Sequence, residues 1–234
     1  MEMMWMTMEE IRVEKGKGTP VIVPFGTVEQ HGPHLPLSTD TLQAYGVAVL
    51  AANLTPALVA PPVHYGQCSS TRNHPGTVTL SPAALRAVAG DIVRSLRGQG
   101  FSRIVLFSGH AGRIHMASLR EAAEGCVLED PDLKIAVICD LDLVREVSGD
   151  LLQTPRDGHA GEIETSRMLF LHPGSVGEAP PEEYPELPVG RVVPDPERYW
   201  PGGVWGNPRA ADGEKGRLIV ERSAQALAEI VGSL

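Results

Sequence analysis

The chain has 234 residues, a formal net charge of −9, 42% hydrophobic and 21% charged residues, which is enough apolar content to pack one sizeable α/β domain over residues 1–234. Its 20 basic residues are scattered and outnumbered by 29 acidic ones, so the basic face that a nucleic-acid partner requires is missing. No stretch approaches the ~20 apolar residues of a membrane helix, and the first ten residues carry Glu2, Glu9 and Glu10 where a signal peptide would be apolar.

In chain order, residues 20–25 read as an apolar strand that ends at Gly26. Ser38 or Thr39 can cap a helix running to about Asn53. A second strand covers 57–60, and Ser81 followed by Pro82 is a strong helix start for a segment ending near Gly98 to Gly100. Residues 103–107 form an apolar strand entering Ser108-Gly109-His110, followed by a helix over roughly 114–124. A strand over 134–139, a helix over 161–171 and an amphipathic helix over 214–230 complete the pattern. Near-continuous apolar strands alternating with helices predict a mostly parallel sheet covered on both faces. Residues 173–208 are rich in proline and glycine and lack periodicity; so long a connection predicts an ordered functional loop or an oligomer contact.

Cys68, Cys126 and Cys139 show no CxxC spacing, which predicts a reducing compartment, three small buried hydrophobes and a cytoplasmic location. No GxSxG elbow, GxxxxGK[ST] loop or strand-linked GxGxxG occurs, which removes the usual serine-hydrolase and nucleotide sites.

Three clusters carry chemistry. Glu29-Gln30-His31-Gly32-Pro33-His34, with Asp40 beyond it, begins just past the first strand, where open α/β sheets bind ligands. Its Glu, His and Asp side chains are donors that zinc and manganese accept. Ser108-Gly109-His110-Ala111-Gly112 follows another strand. Asp157-Gly158-His159-Ala160-Gly161-Glu162-Ile163-Glu164 opens a helix, and two acids with a histidine gathered there are costly to bury without a cation. Each cluster also has a structural reading: Asp40 and Glu162 suit a helix N-terminus without any metal. His74, in His74-Pro75-Gly76-Thr77, stands on a loop that can line the same mouth.

At these clusters the sequence resembles the creatininase family. The block from Val23 through Glu29-Gln30-His31-Gly32-Pro33-His34-Leu35-Pro36 to Asp40 carries the likeness. So do His74-Pro75-Gly76-Thr77, Gly109-His110-Ala111-Gly112, His159 to Ser166 and Gly203-Val204-Trp205-Gly206-Asn207-Pro208. The resemblance implies a three-layer α/β/α fold, commonly a hexamer, and two divalent ions drawn from zinc, manganese and iron that activate a water against an amide carbon. Carried over by position, Glu29 and His110 hold one metal, His31 the other, and Asp40 bridges them. His159 takes the place of the proton-transfer histidine.

Two departures alter the expected substrate. Creatininase proper has a ligand glutamate where Gly112 stands, and its pocket uses tryptophans where residues 141–171 have none. A site of only His31 and Asp40 would be under-coordinated, so Glu164 is the expected replacement ligand. Glu162 is the alternative ligand, or a catalytic partner that orients His159. The expected activity is hydrolysis of a carbon–nitrogen bond in a small non-peptide or cyclic amide. The alternatives are a peptidase acting on a small modified peptide and an inactive metal-binding scaffold.

Overall fold

The computed structural model describes residues 1–234. Strands β1 (Val21–Phe25), β2 (Leu58–Val59), β3 (Arg103–Ser108) and β4 (Lys134–Cys139) form a parallel sheet in the order β2-β1-β3-β4. Parallel neighbours need long crossovers. These are supplied by α2 (Thr39–Leu54), α3 (Pro82–Gly98) and α4 (Arg113–Glu129), while α5 (Asp140–Ser148), α6 (Glu162–Leu171) and α7 (Gly213–Ser233) complete the chain.

Alternation along the strands sorts the core into two layers. In β1 and β3, Val21 pairs with Ile104, Ile22 with Val105 and Val23 with Leu106. Val21, Val23, Phe25, Ile104 and Leu106 face one way and pack with Leu85, Ala89 and Val93 of α3 and Leu119 and Ala123 of α4. Ile22, Val105 and Phe107 face the other way, against Ala44, Val47 and Ala51 of α2 and Val220, Ala224 and Leu227 of α7. A fully buried aliphatic or phenyl side chain contributes about 1.5–3 kcal/mol, against about 0.5–1.5 kcal/mol net for a hydrogen bond. The two apolar layers therefore hold the sheet, and the result is the expected α/β/α arrangement. No helix is long and apolar enough to cross a membrane.

The expected elements are present to within a few residues, and Ser81 does cap α3, its hydroxyl accepting from the Ala84 amide at 3.1 Å. Two helices are additional. Helix α1 (Met8–Gly16) buries only Glu14, so it offers no apolar stripe to read; a reciprocal Thr7–Glu10 capping box defines its start. Helix α5 follows β4 with no cap or glycine between them, so the strand's apolar run continues into it. At that junction Asp140 forms a buried ion pair with Arg167 of α6, tying the third cluster's helix to the end of the sheet. Burial holds the Asp140 carboxyl above its ordinary value, against the pull of Arg167. Residues 173–208 hold only short 3₁₀ turns at Pro173–Ser175 and Pro196–Tyr199, with Pro208 opening the next one.

Candidate metal centre

The first turn of α2 is driven in between the ends of β1 and β3, and two glycines permit it. A Cβ on Gly26 would lie 2.5 Å from the Thr41 amide nitrogen, and one on Gly109 would lie 2.1 Å from the Asp40 carbonyl oxygen. Only glycine allows main chain to approach main chain so closely. The wedge sets Asp40 between the loop carrying Glu29 and His31 and the loop carrying His110.

The two carboxylate oxygens of Asp40 then face different imidazoles. Oδ1 lies 3.2 Å from His31 Nε2, and Oδ2 lies 3.2 Å from His110 Nδ1. Glu29 Oε2 stands 2.9 Å from the same His110 nitrogen, and Glu164 Oε2 stands 3.6 Å from the same His31 nitrogen. All five side chains are buried. Threonines hold the acids in place: Thr27 donates to Asp40, and Thr71 donates to Glu29.

Each imidazole is fixed from behind. His31 Nδ1 donates to the Glu29 carbonyl at 3.0 Å, and His110 Nε2 donates to the Gln67 carbonyl at 3.1 Å. A carbonyl can only accept, so in both rings the nitrogen aimed at the carboxylates is the remaining one. Burial opposes charge on both rings, yet Asp40 and Glu164 raise His31, and Glu29 and Asp40 raise His110, well above the ordinary histidine value. Burial likewise disfavours the Glu29 anion, but the facing His110 outweighs it and holds the carboxyl at about 2. The acids are therefore ionised, and the inner imidazole nitrogens meet them through positive charge. A divalent cation supplies the same charge while using those nitrogens as lone-pair donors. The donor set of carboxylate oxygens and carbonyl-anchored imidazoles fits zinc or manganese on that ground.

The third cluster closes the opposite side. His159 stacks at 4.2 Å on the His31 ring and lies 5.1 Å from the Trp200 ring. Its Nε2 donates to the Gln30 carbonyl at 2.8 Å. Burial and the neighbouring His31 charge lower its basicity, so this imidazole is neutral near pH 7. His31, His159 and Glu164 offer ligand atoms within 4.8 Å of one another. Ala160, fully buried, takes a left-handed backbone at φ 49°, and its amide donates to Glu164, which aims that carboxylate inward. A non-glycine residue held there stores of order 1 kcal/mol of strain.

Glu162 is not brought to this cluster. It accepts from the Gln153 amide at 3.0 Å and the Thr154 amide at 2.6 Å and pairs with Lys215. The part expected of it beside His159, whether as ligand or as orienting partner, has no geometric basis here, because the His159 ring is held by the Gln30 backbone. Asp157 accepts from the Glu162 and Ile163 amides, a capping role that burial accompanies with a pKa raised to about 6. His34 meets Thr165 at 2.9 Å, and His74 donates to the Trp200 carbonyl at 2.7 Å, so both tie loops together around the site.

Sequence reasoning passed over Thr27, Thr71 and Gln30, which lie in or beside the quoted motifs. Gln30 accepts from the Gly32 amide at 2.8 Å and donates to the Gly203 carbonyl at 3.2 Å, joining the first loop to residues 200–206. It also passed over the difference among the cysteines. All three are buried and unpaired, but Cys68 lies with Glu29 and His110.

Fold and site together define an α/β/α protein with a candidate metal centre where α2 meets the ends of β1 and β3. The chain belongs to the creatininase family of amidohydrolases, whose model, described as creatinine amidohydrolase, matches residues 2–231. It is 32% identical to the creatinine amidohydrolase of Pseudomonas putida over 95% of this chain and 92% of that protein. It is 33% identical to the mycofactocin precursor peptide peptidase of Mycolicibacterium smegmatis over 85% of this chain and 78% of that one. A crystal structure of creatinine amidohydrolase superposes with a TM-score of 0.90 at 29% identity, covering 99% of this chain and 96% of the other. Creatininase structures described as Zn-Zn type and as Mn match at TM-scores of 0.87.

Proposed function

We propose that the protein hydrolyses a carbon–nitrogen bond in a small non-peptide or cyclic amide with two divalent ions, zinc or manganese. Glu29, His110 and Asp40 would hold one ion, and His31, Asp40 and Glu164 the other. The observation that carries this reading is the split of the Asp40 carboxylate between His31 and His110, the arrangement a bridging ligand requires. Bound there, the ions would supply Lewis acidity to the substrate carbonyl and lower the pKa of water between them. His159, neutral and anchored through Nε2, would accept a proton and return it to the leaving nitrogen. Trp200 and Trp205, edge to face at 5.9 Å, wall the same side of the site and would pack a small flat substrate against His159.

Creatinine is not the expected substrate. A Cβ at position 112 would fall 2.3 Å from His110 Nε2, so a glutamate there, like the ligand of creatininase proper, would require the His110 ring to move. Residues 141–171 also lack a tryptophan. A metal-loaded preparation screened against small amides, lactams and formamides should turn over at least one of them and leave creatinine essentially untouched. Robust creatinine turnover at micromolar enzyme would sink the substrate assignment. The mycofactocin peptidase relatives favour a second reading, cleavage of a small modified peptide, and the same screen with short peptides separates the two.

The protein is further proposed to act in the cytoplasm as a closed homo-oligomer, a hexamer by family resemblance. Trp200 is consumed within the chain, whereas Val189 and Val192 of the same proline-rich segment are almost fully exposed and suit a subunit contact. A monomeric mass by light scattering at working concentration would end that proposal.

A further inference from the structure

Of the three cysteines, Cys126 packs into the apolar layer under α3 and α4, and Cys139 packs with Leu141, Val144, Ile163 and Ile219. Cys68 is 1% exposed, yet it joins none of the apolar clusters. Its neighbours are polar and metal-ligating: the Cys68 Sγ, a Glu29 carboxylate oxygen and a His110 ring nitrogen lie within 4.8 Å of one another. The thiol therefore does not stand alone. It faces two donors already placed around Asp40 by independent contacts.

The backbone that presents it is fixed on three sides. The Cys68 amide donates to Thr79 Oγ1 at 2.8 Å, the Gln67 amide donates to His115 Nδ1 at 3.2 Å, and the Gln67 carbonyl anchors His110. The residue that orients the imidazole is thus the direct neighbour of the thiol, and neither can shift without the other. A cation between these groups would take the sulfur as thiolate, because a coordinating thiol gives up its proton.

We infer that Cys68 is a ligand of the ion held by Glu29, His110 and Asp40, and that its thiolate makes this half of the centre selective for zinc over manganese. On binding, the S–H bond breaks, a metal–sulfur bond forms and the proton leaves to solvent. The two halves of the centre are then unlike. One offers sulfur, nitrogen and oxygen, a set that retains zinc; the other, with His31, Asp40 and Glu164, offers only nitrogen and oxygen and accepts manganese as readily. This rests on the two-metal reading above.

The test is cobalt substitution of the purified protein, read by absorption in the near ultraviolet, together with X-ray absorption at the zinc edge. Wild type and the Cys126→Ser/Cys139→Ser variant should both show a thiolate-to-cobalt charge-transfer band, and Cys68→Ser should lose it. The zinc-loaded wild type should show sulfur at about 2.3 Å, one per pair of ions and so about half a sulfur averaged per zinc, a measurement that requires no variant to fold. Competition binding should show the zinc-over-manganese preference falling by about an order of magnitude or more in Cys68→Ser, with total metal capacity retained. Ions bound with only nitrogen and oxygen neighbours, or a charge-transfer band that survives in Cys68→Ser, would refute the ligand and leave the two-metal reading standing. Failure to bind cobalt or zinc at all would refute both.

Discussion

Asp40→Ala should release both ions, because a single carboxylate touching two imidazoles serves two sites at once. Elemental analysis should fall from two equivalents towards none, whereas His31→Ala should lose only one. Asp40→Asn refines the experiment: it keeps the shape and can retain a hydrogen bond to Thr27 while removing the charge that both ions need. Circular dichroism should remain native in both variants, since the core layers lie behind the site and do not include Asp40. Wild-type metal stoichiometry in Asp40→Ala would show that the bridging assignment is wrong.

Glu164→Gln should lose or loosen one ion and abolish most turnover. The variant preserves volume and can still accept from the Ala160 amide, so the change isolates the anionic charge. Replacing a group that merely supports a ligand weakens metal binding or activity by roughly 10–100-fold, and removing a ligand's charge should exceed that. Glu162→Gln is the control. Its carboxylate is spent on the Gln153 and Thr154 amides and on Lys215, so it should reduce stability more than metal content. Full metal occupancy in Glu164→Gln with loss in Glu162→Gln would transfer the role to Glu162.

These residues differ in how much of their placement could be seen in the sequence. Glu29, His31, Asp40 and His110 were legible because each stands in a short glycine- or proline-bounded motif directly after an apolar strand, and strand ends are where such folds bind ligands. The parallel sheet was legible for a related reason: β1 and β3 are buried on both faces and read as unbroken apolar runs. The choice between Glu162 and Glu164 was harder. Helical spacing showed that the two point differently, but Glu162 is drawn away by Lys215 and the 153–154 amides, and Glu164 is aimed inward by the Ala160 amide in an irregular turn, contacts that the sequence does not display. Cys68 was opaque because a buried thiol among hydrophobes and a buried thiol beside a carboxylate look the same in a sequence. Gln30 was hidden because its partner, the Gly203 carbonyl, is 173 residues away. Helix α1 was missed because only Ile11 of its few apolar residues packs on the core, so its start is defined by its cap rather than by a stripe.

The close approach at Gly26 and Gly109 has a wider consequence. The placement of Asp40 between the two loops is set by main chain lying on main chain, so it does not rest on the side chains around it. Residues 173–208, in contrast, are held to the same space by loop contacts, among them the Gln30–Gly203 bond, the pairing of His159 with Trp205, the His74–Trp200 bond and the Gly177–His34 bond. The molecule is thus built as an invariant anvil under an adjustable cover. Mutation can reshape the cover, and with it the range of molecules admitted, while the placement of Asp40 beneath stays fixed by the fold.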